Sequence, residues 1–226
     1  VLLVSDLMSD YGECTWRGWE PILYNRWTVG NGYNDNHWRW AKYMGKITMT
    51  IDRIENMDLS ENVKSKYLAE LHCARGWLAF CMWDLYGPIP IADIETVKSP
   101  LEDQIVPRLS EEAMQDFIVT ELTTAATVLP YNYTKESSDY GRFTKGLCNM
   151  VLLKFYMQTK QWAKAEELGR ELTKSEYGYK LESDYAGIFK LANEKNAETI
   201  WAVNCLRGTQ EHKWHPHVLP NDFPGT

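Results

Sequence analysis

The sequence lacks long apolar runs and an excess of basic residues. No stretch approaches the roughly 18 to 20 uninterrupted apolar residues of a membrane-spanning helix, and apolar residues 1–4 are too few for the core of a signal peptide. Lys and Arg number 24 against 31 Asp and Glu, which gives a net charge of −7. Because a surface that follows nucleic-acid phosphates needs clustered positive charge, this balance disfavours nucleic acid as a partner.

Cysteine pairs and catalytic motifs are also missing. The five cysteines contain no C-x-x-C pair, so the sequence indicates neither a zinc ribbon nor a disulfide framework. Cys73, Cys81 and Cys148 lie within apolar helical patterns and are interpreted as small hydrophobic residues. There is no nucleophile elbow, P-loop, G-x-G-x-x-G or H-E-x-x-H motif. The motifs therefore indicate no cofactor and single out no catalytic residue.

Apolar and aromatic residues, in contrast, are plentiful. Hydrophobic residues make up 44% of the 226 positions, enough for one sizeable core, and aromatic residues make up 13%. Half of the ten tryptophans fall early in the chain, among Gly, Asn and Asp: Trp16, Trp19, Trp27, Trp38 and Trp40. Residues 1–37 have no sustained period of 2 or 3.6, so they are predicted mainly as a loop with at most one short helix.

Helical periodicity begins after this stretch. Apolar residues three or four apart predict a first helix from Trp40 to about residue 57. A second helix is capped by Ser60 and ended by Gly87, and its last turns are apolar nearly all round, which predicts a central position. After a loop to residue 109, Ser110 caps a third helix that Pro130 stops.

Two further helices are predicted to form a hairpin. The fourth helix begins near Thr144, and a tight turn at Lys160 and Gln161 leads into the fifth. Ala165, just after the turn, allows the two backbones to approach closely, as in tetratricopeptide hairpins. The alternating residues 198–205 are predicted as a strand. The predicted fold class is therefore mostly α. The chain is expected to consist of a loop region (1–37), a helical core (38–175) and a part with a short helix, a strand and loops (176–226).

Four stretches, in order, resemble segments of the SusD/RagB family. ARGWLAFCMWDLYGPIPIAD (74–93) is similar to the family's long helix, and VPRLSEEAMQDFIVTELTTAATVLP (106–130) to the helix that follows, with Glu121 where aspartate is usual. GRFTKGLCNMVLLKFYMQTKQWAKAEELGREL (141–172) is similar to its tetratricopeptide-like hairpin, although Leu147 and Cys148 replace two alanines. YKLESDYAGIFKLANEKNAETIWAVNC (179–205) is similar to the segment after it. The chain is identified as resembling the N-terminal portion of a single SusD-like domain.

This resemblance implies a function and partners. Members of the family are surface-exposed lipoproteins of the Bacteroidetes outer membrane that capture glycan or peptide. They deliver this nutrient to a SusC-like TonB-dependent transporter and are not enzymes. The implied location is the outer membrane, through a lipid anchor that we expect to lie outside this sequence, since Cys14 follows no apolar run. We expect the hairpin of the fourth and fifth helices to face the transporter.

The early loop carries the candidate ligand-binding residues. A glycan presents C–H faces and an edge of hydroxyls, so its binder needs flat aromatic rings next to planar hydrogen-bonding groups. Such mixtures occur at Trp16, Arg17, Trp19, Trp27, Tyr33, Asn34, Asn36 and Trp38. The alternative is that the indoles form a packed lid over the helices, and Trp40 is predicted to be core.

A histidine-rich stretch near the end of the sequence has to be weighed as a metal site, and three alternative functions stay open. The sequence HKWHPH contains His212, His215 and His217, but no carboxylate or cysteine stands at ligand spacing, so no metal site is expected. An all-helical glycan hydrolase would need two acids at a fixed separation, which a sequence does not supply. The remaining alternatives are a peptide-binding RagB-like protein and a helical-repeat scaffold that binds only protein.

Overall fold

The computed structural model describes residues 8–9, 17–26, 28, 35–99, 101–102, 104–206 and 208–211. In this part of the chain there are seven α-helices and no β-strand, which confirms the mostly helical fold class. The α-helices are α1 (Glu20–Leu23), α2 (Asp35–Glu55), α3 (Glu61–Tyr86), α4 (Ile94–Lys98), α5 (Glu111–Ala126), α6 (Lys145–Gln158) and α7 (Trp162–Leu172). Short 3₁₀-helices lie at Arg17–Trp19, Ser175–Tyr177, Ala186–Phe189 and Leu191–Asn193. Among the described helices, none has the length and apolar character needed to cross a membrane.

Most helix ends lie where the capping residues predict them. Ser60 precedes α3, and Gly87 ends it with a φ of 67°, a conformation that glycine adopts without strain. The Ser110 hydroxyl accepts a hydrogen bond from the Ala113 amide at the start of α5 (3.1 Å). The Thr144 hydroxyl does the same for the Leu147 amide at the start of α6 (3.1 Å). These side chains satisfy amides that would otherwise lack partners in the first turn.

Two helical segments differ from the prediction. α2 begins at Asp35, five residues before the predicted start at Trp40. The sequence does not indicate this first turn, because three of its four residues are polar and show no apolar period. The predicted loop after α3 contains the short helix α4. Its N-cap is Asp93, whose carboxylate accepts a hydrogen bond from the Thr96 amide (2.8 Å). A five-residue helix is too short to show a period in the sequence.

The predicted strand over 198–205 is wrong. Among the described residues this segment pairs with no strand, and the nearest β-type contact is an isolated bridge between Leu206 and Gln210. Side chains hold the segment instead: the Trp201 indole donates to the Gly141 carbonyl (2.9 Å) and the Asn204 amide to the Tyr140 carbonyl (2.8 Å). Alternation of apolar and polar residues is typical of a half-buried extended chain, but it does not show whether a partner strand lies beside that chain.

The chain divides into two compact units between Thr124 and Ala125, close to the end of α5. In the first unit, α2 packs along α3, and the two helices run antiparallel because Trp40 near the start of α2 contacts Tyr86 at the end of α3. Gly76 lets α5 come close to α3, since a Cβ there would lie 2.8 Å from Leu122 Cγ. The core of this unit includes Met44, Ile51, Cys73, Ala79, Met82, Met114, Ile118 and Leu122.

The second unit is built on the α6–α7 hairpin. Lys160 makes the turn with a φ of 58°, and Ala165 is buried directly after it, as predicted. Cys148 is fully buried and Leu147 nearly so, and both pack as core residues. Buried Tyr177 joins the hairpin to the segment that follows, because its hydroxyl accepts from the Asn149 amide (2.8 Å) and donates to Glu171 (3.0 Å).

Candidate functional site

The early aromatic loop is described only in part. Four of its predicted ligand residues lie outside the described residues: Trp16, Trp27, Tyr33 and Asn34. Three others are described by their backbone alone: Arg17 begins the 3₁₀-helix Arg17–Trp19, and Asn36 and Trp38 lie in the first turn of α2. The side chain of Trp19 is partly buried. Ligand binding by these eight residues stays a prediction.

α2 is the element that positions Asn36 and Trp38. Its first turn is followed by Trp40, which is half-buried and packs edge-on against Tyr86, with ring centroids 6.4 Å apart and planes at 69°. Burial raises the pKa of the Tyr86 hydroxyl, so the phenol is neutral at physiological pH. This aromatic contact fixes the start of α2 beside the turn that ends α3. Asn36 and Trp38 therefore stand on the first turn of a helix.

A buried ion pair holds α3 to α5 beneath this helix. Arg75 binds both carboxylate oxygens of Glu121, with Nε–Oε2 of 2.7 Å and Nη2–Oε1 of 2.6 Å. The side chains of Arg75 and Glu121 are only 14% and 7% exposed. Arg75 Nη1 also donates to the Thr48 hydroxyl of α2 (3.3 Å), and the guanidinium lies over the Phe117 ring. One guanidinium thus connects three helices of the first unit.

The Glu121 carboxylate has a second partner. His72 Nδ1 lies 3.0 Å from Glu121 Oε2. Burial raises the pKa of Glu121, but the hydrogen bonds from His72 and Arg75 and the positive charge of Arg75 outweigh it, so the pKa lies below its ordinary value. A carboxylate that is ionised and bound on both oxygens is suited to holding helices together and is a poor proton acceptor.

Two carboxylates near the ends of loops, Asp93 and Glu111, have structural partners. Asp93 caps α4, and the hydrogen bonds from Thr96 lower the pKa of its carboxyl group. Glu111, in the first turn of α5, accepts from the Trp83 indole (2.8 Å) and from the Gln115 amide (2.9 Å). In the part of the chain that the structure describes, no three His, Cys, Asp or Glu residues stand close enough to hold a metal ion. His212, His215 and His217 lie outside that part.

The second unit contains a cleft that the sequence did not indicate. It is lined by Asn132, Tyr133, Tyr140, Gly141, Arg142, Thr144, Ile200, Trp201 and Ala202. Trp201 stacks on Phe143 with centroids 5.7 Å apart, so its ring serves the packing of this region. The cavity volume of about 10 Å³ has room for about one water molecule and none for a sugar ring.

Sequence comparison finds relatives of one kind. The chain is 27% identical over 183 residues to a SusD-like protein of Bacteroides ovatus, covering 74% of this chain and 32% of the relative. It is 28% identical over 159 residues to the SusD-like protein P25 of Formosa agariphila, covering 70% of this chain and 29% of the relative. The chain thus spans about a third of the length of these curated relatives. No protein-family profile matches it.

Solved structures give the same result for the fold. A SusD superfamily protein from Bacteroides vulgatus superposes with a TM-score of 0.78 at 19% identity, covering 88% of this chain and 43% of that structure. Surface glycan-binding protein A from Bacteroides thetaiotaomicron, solved in complex with laminarihexaose, superposes with a TM-score of 0.76 at 21% identity, covering 91% and 44%. The fold is that of the SusD-like helical proteins.

Both comparisons therefore agree with the resemblance seen in the sequence. The curated relatives are SusD-like over about three quarters of this chain, and the helices superpose on SusD-like structures over nearly nine tenths of it. These findings support membership of this chain in the SusD/RagB family over most of its length.

Proposed function

We propose that this chain forms part of a surface protein that binds glycan and delivers it to a SusC-like TonB-dependent transporter of the outer membrane. The observation that carries the proposal is the match of 91% of the chain to a glycan-binding protein solved with laminarihexaose. The position of α2 supports it, because that helix carries Asn36 and Trp38 on its first turn. Aromatic rings beside amide groups are the side chains that a glycan requires.

The proposal describes a binding protein without catalytic residues. The Asp93 carboxylate caps α4 and the Glu111 carboxylate accepts a hydrogen bond from the Trp83 indole. The experiment is calorimetric titration of the purified protein with laminarin, xyloglucan, starch and mannan oligosaccharides and with peptides, followed by chromatography of each mixture. Binding of a glycan with no change in its chain length is the expected result. Release of reducing sugar would establish the hydrolase, and binding of peptides alone would establish the RagB-like alternative.

We further propose that the α6–α7 hairpin contacts the transporter. Two large apolar side chains near its turn are exposed: Trp162 at 57% and Met157 at 49%. Exposed tryptophan and methionine are residues that protein interfaces favour. The proposed location is the outer surface of the outer membrane, where a lipid anchor would hold the protein.

Co-purification with the transporter tests the hairpin contact. Trp162→Ala combined with Glu166→Lys, both on the exposed surface of α7, should reduce recovery of the transporter several-fold. Tyr67→Ala removes a similarly exposed aromatic residue from α3 in the other unit and is the matched control. Equal recovery with the hairpin variant and the control would contradict the assignment.

A further inference from the structure

The exposed surface of α2 combines three basic side chains with one aromatic ring. Arg39, Lys42 and Lys46 are exposed, and Tyr43 is 53% exposed. Spacings of three and four residues make these side chains neighbours on one surface of the helix, over about 10 Å of its axis. We call these four residues the α2 basic face.

No acidic residue of the same helix segment balances this charge. Residues 36–51 contain no Asp or Glu, although the whole chain has 31 acidic and 24 basic residues. Among the described residues, no carboxylate forms an ion pair with the three cations of the α2 basic face. The next acidic residue of the helix, Asp52, is bound by Lys98 of α4 (2.9 Å). Because like charges at these spacings repel one another, an anion bound here would relieve their repulsion.

Tyr43 gives the α2 basic face a group on which a sugar can stack. The Lys46 ammonium lies 5.5 Å from the centroid of the Tyr43 ring. A pyranose packs its C–H face on an exposed aromatic ring, and an acidic substituent of that sugar would then lie beside a positive charge. Hydrogen bonds between an ammonium group and a carboxylate or sulfate oxygen are stronger than those between neutral groups. Ring and cation together therefore suit a sugar that carries a negative charge.

The α2 basic face also follows directly after candidate glycan-binding residues. Asn36 and Trp38 lie in the first turn of the same helix, and Lys42 comes four positions after Trp38. Positions four apart on a helix lie on the same side, one turn from each other. A glycan bound at the first turn would therefore have the cations of the α2 basic face as its next neighbours along the helix.

We propose that the α2 basic face selects an anionic glycan, one whose sugars carry carboxylate or sulfate groups. The inference rests on the proposed glycan-binding function and adds the chemical class of the ligand. Charge favours this ligand over other partners. A nucleic acid would meet a chain whose overall charge is −7, and the centres of protein interfaces are depleted of lysine.

Calorimetric titration with matched pairs of glycans tests the proposed class. Oligogalacturonate is compared with its methyl ester, and sulfated laminarin oligosaccharide with the unmodified form, so that the members of a pair share a backbone and differ in charge. At least one charged member should bind about tenfold more tightly than its neutral partner. This preference should weaken as NaCl is raised from about 0.05 to 0.5 M, because salt screens exposed charges. The pair that shows the preference distinguishes carboxylate from sulfate recognition.

Variants that remove charge locate the effect on α2. Lys42→Gln combined with Lys46→Gln should weaken binding of the charged glycan several-fold and leave the melting temperature unchanged, since both side chains are exposed and glutamine suits a helix. Lys135→Gln combined with Lys180→Gln makes the same change in net charge at exposed sites of the second unit and should retain the affinity of the unchanged protein. Equal weakening by the two double variants would overturn the proposal, because overall charge would then account for binding.

The outcomes separate this inference from the function on which it rests. Equal affinity for the charged and neutral members of both pairs would overturn the anionic class and leave glycan binding intact. Absence of binding to every glycan would overturn both. Reduced recovery of the transporter with the Lys42 and Lys46 double variant, together with unchanged affinity for the charged glycan, would also overturn the inference, because the α2 basic face would then belong to a protein contact.

Discussion

Arg75 of α3 and Glu121 of α5, separated by 46 positions in the chain, are joined by two parallel hydrogen bonds of 2.7 and 2.6 Å. The pair is largely buried, and the same guanidinium reaches Thr48 of α2. The helix that carries Asn36 and Trp38 is therefore linked through one side chain to the two helices behind it. Stability of this first unit should depend on the pair far more than on any exposed ion pair.

Replacement of Arg75 by alanine tests that dependence. Arg75→Ala leaves the Glu121 carboxylate buried without its main partner, and we expect a loss of about 3–5 kcal/mol in the free energy of unfolding. The control is Arg170→Ala, which breaks the exposed Glu166–Arg170 pair and should cost less than about 1 kcal/mol. Urea denaturation followed by circular dichroism measures both. Equal effects of the two substitutions would show that the buried pair has no special role.

The pH dependence of stability should carry a contribution from Glu121. Its pKa is lowered in the folded protein, so the unfolded chain takes up a proton at higher pH than the folded one does. The contribution is complete above the ordinary carboxyl pKa and is lost as the pH falls through the lowered folded value. The free energy of unfolding of Glu121→Gln should therefore fall less steeply than that of the unchanged protein below about pH 4.5. Parallel curves would contradict the assignment.

Gly76 should be intolerant of a side chain. In Gly76→Ala the new methyl group would lie 2.8 Å from Leu122 Cγ, and the forced separation of α3 and α5 should cost about 1–3 kcal/mol. Gly45 in α2 is the matched control, since its nearest side chain, Val97, lies 3.9 Å away. Gly45→Ala should be neutral or stabilise by up to about 1 kcal/mol, because alanine favours the helix. Thermal unfolding compares them, and a stabilised Gly76→Ala would contradict the close packing.

Tyr177 should anchor the second unit through its hydroxyl group. Tyr177→Phe removes the acceptor for buried Asn149 and the donor to Glu171, and we expect a loss of about 1–3 kcal/mol because the Asn149 amide is left unsatisfied. Tyr185→Phe makes the same change at an exposed site and should be neutral. Chemical denaturation measures the free energy of unfolding of both variants. A neutral Tyr177→Phe would mean that water replaces the lost hydroxyl.

Helix ends were predictable from the sequence wherever a capping residue marks them. Gly87 ends α3 with a positive φ that glycine adopts without strain, and the Thr144 hydroxyl accepts a hydrogen bond from the Leu147 amide at the start of α6. The short helix α4 and the polar first turn of α2 were missed, because neither is long or apolar enough to produce a period. The strand over 198–205 was wrong because strand formation depends on a distant partner that an alternating pattern does not reveal.

The sequence predicts the candidate site only as an unusual residue composition and does not predict how its side chains are arranged in space. The excess of Trp, Asn and Tyr before residue 40 is visible in the sequence, and the structure adds that α2 carries part of it. The contact between Arg75 and Glu121 could not be predicted from the sequence. The apolar periodicity predicts each helix separately, but it does not show which residues of the two helices meet in tertiary packing.

The central claim is that the aromatic residues of the early chain bind glycan. Its most direct test is calorimetric titration of the Trp27→Ala, Tyr33→Ala and Trp38→Ala variants with the glycan that the unchanged protein binds, alongside their melting temperatures. We predict affinity at least about tenfold weaker, equivalent to about 1.4 kcal/mol, with unchanged melting temperatures and with normal affinity in the control Trp162→Ala. Normal glycan affinity together with lowered melting temperatures would contradict the account and establish these rings as a packed lid.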